Sequence, residues 1–403
     1  MRRALIFGLA LLMFLTLVAL GQPVEEWNVT FGGNALDWGY SVLELTDGGY
    51  VIAGSTASYG SGQNDLLLIK TDYEGNELWN RTFGGDESDF SSEVLEMDDG
   101  GYLLLGSTKD DAIDDFNLLL IKTDSEGLEE WNKTFGGSKT DLSRDLLKTR
   151  DGGYVLGGDT ESYGTDGSSD FWLIKVDPEG NESWNRTFGG IGSDYFGSVR
   201  ETDDVGYILF GSTSSYGNGN FDLWLIKTDP EGHELWNRTF GEFRRDNGVS
   251  ALQTEDGGYL LMGRTRVDNL GISGDVIWLI KTDSEGNEEW ENTLEYENGS
   301  YVGVLIQNTN DGGYLISGDS IDLLKGLAMV ESSTVLDDRG RDVFIIKIDS
   351  EGNELWRKTF ETPGLNYQHG LAKETKDGGY IVLCVADSYG KGRDLWLIKL
   401  GPD

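Results

Sequence analysis

The chain has 403 residues, 38% of them hydrophobic, a single cysteine and a formal charge of −39. The hydrophobic share is enough for a large core, one cysteine excludes a disulfide framework, and so acidic a body is a poor partner for nucleic acid or anionic membrane surfaces. The acidity is spread through loops such as Asp-Ser-Glu-Gly, as solubility, salt adaptation or divalent-cation binding would require.

At the start, Arg2 and Arg3 precede an uncharged run from Ala4 to Leu20, and Ala19-Leu20-Gly21 supplies small residues suited to a signal peptidase. Residues 1–21 therefore read as an export signal, whose removal would leave a charge of −41, and residues 22–403 as one folded domain. An uncleaved anchor is the alternative, since a run of this length is at the short limit for spanning a bilayer. No cysteine follows, so a lipoprotein anchor is excluded. The expected location is outside the cell, secreted or at the cell surface, with membrane contact only if the segment stays uncleaved.

The rest of the chain repeats. A Trp-centred segment recurs at Trp27, Trp79, Trp131, Trp184, Trp236, Trp290 and Trp356, with steps of 52, 52, 53, 52, 54 and 66 residues. In the first unit, Ser41 to Thr46 reads as a half-buried strand, Asp47-Gly48-Gly49 as a turn and Tyr50 to Thr56 as a second strand. Leu66 to Lys70 and Glu77 to Phe83 follow as third and fourth strands, joined by a hairpin at Asp72, Glu74, Gly75 and Asn76. No stretch carries a helical period, which excludes the helical solenoids and leaves a ring of four-stranded blades.

The Asp-Gly-Gly-Tyr turn recurs at Asp47, Asp99, Asp151, Asp256, Asp311 and Asp377, and as Asp204-Val205-Gly206-Tyr207 in the fourth unit. Third strands such as Phe171-Trp172-Leu173-Ile174 are apolar at consecutive positions, as a strand covered on both faces must be. Each ends in a lysine (Lys70, Lys122, Lys175, Lys227, Lys281, Lys347, Lys399), expected to form a ring of ion pairs or snorkelling stems between blades. Cys384 stands where the other units place a glycine, and reads as a small buried substitution.

The last unit supplies three strands and stops at Asp403, while Glu25 to Phe31 is a Trp-bearing fourth strand with no blade before it. Joining the two predicts an all-β, seven-bladed β-propeller of four-stranded antiparallel blades, closed by the N-terminal strand and expected to be monomeric.

The segment Asp72-x-Glu74-Gly75-x-x-x-Trp79 resembles the Trp-docking hairpin of quinoprotein-type propellers, with a turn one residue shorter. The recurring Phe-Gly-Gly, Asp, Gly-Tyr and Gly-Ser-Thr elements are similar to the repeats of secreted bacterial and archaeal β-propeller proteins, over residues 25 to 400. The resemblance implies a fold and leaves the function open, because propellers host enzymes, lectins and scaffolds alike. A quinone site would need a particular amide and carboxylate set in a ring that has eight blades in that family, against seven repeats here.

Chemistry-bearing residues are few. Of the two histidines, His233 occupies a hairpin position filled elsewhere by Asn76, Asn181, Asn287 and Asn353, which leaves His369 as the one candidate imidazole. No Cys/His cluster suits zinc. Ten residues before the turn Asp, units one to five place Asp37, Asp89, Asp141, Asp194 and Asp246, and units six and seven place Tyr301 and Tyr367. All seven lie where one blade crosses to the next. Five carboxylates there can hold Ca²⁺ or a cationic ligand; alternatively, each bonds the backbone of its own crossing loop. The sixth unit carries an insertion, Ile321 to Arg341, on the same face. These features predict ligand contact on the crossing face toward blades six and seven, by Tyr301, Tyr367 and His369 with the insertion as a flap. Seven N-x-Ser/Thr sequons, at Asn28, Asn80, Asn132, Asn181, Asn185, Asn237 and Asn298, mostly reflect the repeated Trp strand.

The function expected is an extracellular interaction module for a protein or glycan. A glycan-active hydrolase or lyase is the second reading, and a structural cell-surface component the third.

Overall fold

The computed structural model describes residues 21–110, 114–269, 272–295, 299–322, 341–360, 370–387 and 392–403. The proposed export signal, most of the blade-six insertion, and Tyr367 with His369 lie outside the described residues. Among the described residues no helix is long and apolar enough to cross a membrane.

Seven four-stranded antiparallel sheets form the ring, six of them simple meanders in chain order. Blade one comprises Asp37–Glu44, Tyr50–Thr56, Asp65–Thr71 and Glu77–Phe83. Its inner strand begins four residues earlier than the alternation predicts, because a bulge between Gly39 and Ser41 shifts the register and breaks the pattern. A methyl on Gly39 would sit 2.8 Å from a Leu383 methyl of the neighbouring blade, so the first half of the strand is kept small for packing.

Closure follows the two chain ends. The seventh sheet has the order Glu25–Phe31, Arg393–Leu400, Tyr380–Asp387, Leu371–Glu374, with Trp27 opposite Lys399 and Phe31 opposite Leu395. The Trp396 indole also donates to Asn28 Oδ1 at 3.1 Å. The N-terminal strand thereby covers an edge that would otherwise present unpaired backbone groups.

The core lies between blades. Val42, Ile52 and Leu67 of blade one pack with Leu371, Leu383 and Leu397 of blade seven, and equivalent layers recur around the ring. Third strands Asp170–Val176 and Asp222–Thr228 are buried at every position, as their unbroken apolar runs require. Cys384 is fully buried, and burial pushes its thiol pKa up.

The repeated tryptophans bridge blades from the periphery. Trp79 meets Tyr102 of the next blade edge-on at 5.8 Å and lies over that blade's hairpin glycine, Gly127, where a methyl would sit 2.6 Å from the indole. Gly127 has φ +73°, so only glycine serves both the turn and the docked ring. The same geometry places Trp27 on Gly75 and Trp184 on Gly232. Most of these rings are half-buried, while Trp356 is 5% exposed.

All seven strand-ending lysines form ion pairs within their own blade, and Lys347 of blade six also pairs with Asp403 of blade seven at 2.9 Å. Each ammonium reaches the Asp of its own blade's inner turn: Lys70–Asp47 at 2.9 Å, Lys122–Asp99 at 2.8 Å, Lys175–Asp151 at 2.7 Å, Lys227–Asp204 at 2.9 Å, Lys281–Asp256 at 2.8 Å, Lys347–Asp311 at 2.8 Å and Lys399–Asp377 at 2.9 Å. The lysine side chains are only 4 to 15% exposed, so the aspartate answers an ammonium held in the protein as well as its own turn backbone.

Candidate functional site

The crossing aspartates do not converge on one ligand. Asp37, Asp89, Asp141, Asp194 and Asp246 are 0 to 2% exposed. Asp141 accepts the Thr160 hydroxyl at 2.5 Å, the Ser162 hydroxyl at 2.7 Å and the Gly137 N–H at 2.8 Å, all from its own blade or the loop leading into it. Asp37 repeats this with Thr56, Ser58 and Gly33, and Asp194 with Ser215 and Gly190. Asp37, Asp141 and Asp194 thus bond their own crossing loops, whereas Asp89 and Asp246 each keep an Oδ1 that accepts no hydrogen bond. Among the described residues no three His, Cys, Asp or Glu side chains gather as a metal site.

Tyr301 is likewise not at a surface. It is fully buried, its ring 4.4 Å from that of Phe344, and its hydroxyl accepts Arg357 Nη1 at 2.8 Å. An aromatic residue at that position fills the space that a small buried Asp and its hydroxyl partners occupy in other blades, so the symmetry break is one of packing. His233 sits in its hairpin as expected, its ring nitrogen 3.1 Å from Asp229 Oδ2.

A cavity of about 710 Å³ lies on the axis and opens at the opposite mouth, among the inner turns. Inner strands line it by simple alternation. Val94, Leu146 and Ile306 pack into the buried clusters, Leu146 and Ile306 also reaching the channel wall, which their neighbours Glu93, Leu95, Asp145, Leu147, Leu305 and Gln307 line.

Four of its charges are paired with one another, while Glu201 and Asp203 pair with Arg150 outside the lining and Glu255 adds a further carboxylate. Asp145 Oδ2 accepts Arg200 Nη1 at 2.6 Å and the Val199 N–H at 2.9 Å. Lys373 Nζ of blade seven stands 3.6 Å from Glu93 Oε1 of blade two, past blade one, whose Ser41 hydroxyl donates to the same oxygen. Gln307 donates to the Ala372 carbonyl at 3.1 Å.

Around the mouth, the last side chain of an inner strand accepts an N–H from the preceding blade's turn. The contacts are Lys376 N–Glu44 at 2.7 Å, Thr46 N–Glu96 at 3.0 Å, Arg150 N–Glu201 at 3.1 Å, Asp203 N–Gln253 at 2.9 Å and Asn310 N–Glu374 at 2.8 Å. The sequence reading missed both the funnel and this girdle. The available signal was the recurrence of Glu or Gln three residues before the turn Asp in five of the seven units, Glu44, Glu96, Glu201, Gln253 and Glu374.

No family model matches the chain, and no curated protein does. Among solved structures it is similar to the polysaccharide lyase Uly1, at 11% identity and a TM-score of 0.59, over 94% of this chain and 100% of that one. A protein of unknown function from Dyadobacter fermentans DSM 18053 matches at 11% identity and a TM-score of 0.49, over 95% and 99% of the two chains. The β-propeller domain of the Trilobed protease from Pyrococcus furiosus matches at 9% identity and a TM-score of 0.48, over 90% and 93%. At these identities the likeness shows the propeller fold alone.

Proposed function

We propose that the chain is an exported, monomeric binding module that takes an uncharged stretch of a glycan into the axial funnel. The observation that carries this reading is a funnel wall that sets the paired Asp145–Arg200 and Glu93–Lys373 beside the amides of Gln253, Gln307 and Asn308. These two pairs engage four of the wall's charges. They leave a wall of hydrogen-bond donors and acceptors interleaved with Leu95, Leu147 and Leu305, in a volume that suits a few sugar rings. A hydroxyl-rich chain satisfies such a wall. Export rests on the apolar run and Ala19-Leu20-Gly21 described above.

The experiment is a glycan array with the purified chain, each hit then assayed for turnover and light scattering used for the oligomeric state. Retention of an intact glycan supports a module. Cleavage of the hit supports the hydrolase or lyase reading instead, and a protein partner with no glycan hit would move the function to protein recognition.

A further inference from the structure

The crossing from blade four to blade five brings together two buried carboxylates from different blades. Asp222 opens a third strand, Asp246 precedes an inner strand, and they are 1% and 2% exposed. A methyl on Gly241 would sit 2.3 Å from Asp222 Oδ1 and 2.7 Å from Asp246 Oδ2. Those oxygens are therefore within about 5 Å of each other, the span of two opposite ligands on a Ca²⁺ ion with bonds of about 2.3–2.6 Å. A methyl on Gly219 would sit 2.8 Å from the same Asp222 Oδ1 and 2.6 Å from each of the Glu242 and Arg244 carbonyl oxygens.

Asp222 Oδ1 points into this glycine-lined gap and accepts no hydrogen bond. Its companion Oδ2 accepts the Asn218 and Gly219 N–H groups at 2.6 and 3.2 Å. The gap is thus surrounded by acceptors. A proton shared by the two carboxylates would answer one pair of oxygens and leave the carbonyls facing them, whereas a hard cation answers all four. The two cations of this crossing are engaged: Arg244 Nη1 donates to the Arg266 carbonyl at 2.6 Å, and the Arg245 guanidinium lies 5.0 Å over the Phe221 ring.

We propose that a divalent cation, Ca²⁺ by its oxygen-only ligands, binds between Asp222 and Asp246 with the carbonyls of Glu242 and Arg244, tying blade four to blade five. The device repeats around the ring. Asp170 Oδ1 also accepts no hydrogen bond and would lie 2.2 Å from a methyl on Gly189, on the crossing that carries Asp194. Asp65 Oδ1 and Asp89 Oδ2 lie 2.7 and 2.2 Å from a methyl on Gly84.

The test uses the full chain, treated with EDTA, freed of chelator and titrated with Ca²⁺ by calorimetry while the melting temperature is followed. The expected result is binding in the millimolar range or tighter, a rise in melting temperature, and one ion fewer per chain in Asp222→Asn, whose circular dichroism in EDTA matches the parent. Asp170→Asn removes the ion of its own crossing and serves if Asp222→Asn misfolds. A parent that takes up no Ca²⁺, or variants that bind as many ions as the parent, overturns the proposal. A melting temperature that rises on mild acidification but not with Ca²⁺ also overturns it, since the carboxylates then share protons.

Discussion

The ring of Trp27 meets the ring of Tyr50 edge-on, centroids 5.8 Å apart, although Trp27 belongs by hydrogen bonding to the last blade and Tyr50 to the first. One strand therefore closes the last sheet and docks on the first. Deleting Gln22 to Gly33 should expose a strand edge in blade seven and uncover blade one together, giving aggregation or a much lower melting temperature. An unchanged melting temperature would contradict closure by this strand.

The tryptophans should rank by burial. Trp356 is 5% exposed and its indole donates to Asp403 at 2.7 Å, so Trp356→Ala should cost roughly 3–5 kcal/mol. Trp79, Trp131, Trp184 and Trp236 are half-buried, and each should cost clearly less in denaturant unfolding. Equal costs at all sites would show that the peripheral rings are as fully packed as Trp356.

Gly127 and Gly48 both have positive φ, +73° and +89°, but only Gly127 has an indole against it. Gly48→Ala should cost the conformational penalty alone, about 1–2 kcal/mol, and Gly127→Ala that penalty plus a clash with Trp79. Adding Trp79→Ala to Gly127→Ala should recover most of the excess in a double-mutant cycle. Additive losses would mean that the ring and the hairpin are not coupled.

The turn aspartates make stability fall in acid. The hydrogen bond from Lys281 holds Asp256 down at about 2, against an ordinary 3.8. Burial raises Asp151 and Asp377, but hydrogen bonds that include those from Lys175 and Lys399 outweigh it and bring both to about 2. A carboxyl lowered in the folded state lends stability above its unfolded value and loses it as pH falls through the folded value. Melting temperature should therefore drop between about pH 4 and pH 2, and Asp256→Asn should start lower and drop less. The carboxylates are more than half exposed, so each pair contributes modestly and the seven act together. A profile flat to pH 2 would exclude this role.

Much of the fold was legible because its determinants are local and repeated. The bounds of Glu77–Phe83, the seven inner turns and the missing fourth strand at Asp403 all follow from turn residues and period. The inner strands were cut short because the bulge at Gly39 hides their first residues from an alternation pattern. The site was less legible, since what Asp37 or Tyr301 touches is decided across the chain. Asp37 accepts the hydroxyls of Thr56 and Ser58, partners 19 and 21 positions along the chain that its place in the repeat does not name. Glu93 and Lys373, 280 positions apart in sequence, meet only once the ring has closed.

The most direct test of the functional account is calorimetric titration of the strongest glycan-array hit into three proteins: the parent, Leu305→Trp, and a Tyr59→Ala, Tyr216→Ala pair on the crossing face. Leu305→Trp fills the funnel, while the two tyrosines, 42% and 47% exposed, lie at the other mouth. With all three melting alike, the account predicts at least about a tenfold loss of affinity in Leu305→Trp, equal to 1.4 kcal/mol, and none in the tyrosine pair. Parent-like binding by Leu305→Trp with loss in the tyrosine pair, or an array with no hit at all, would contradict it.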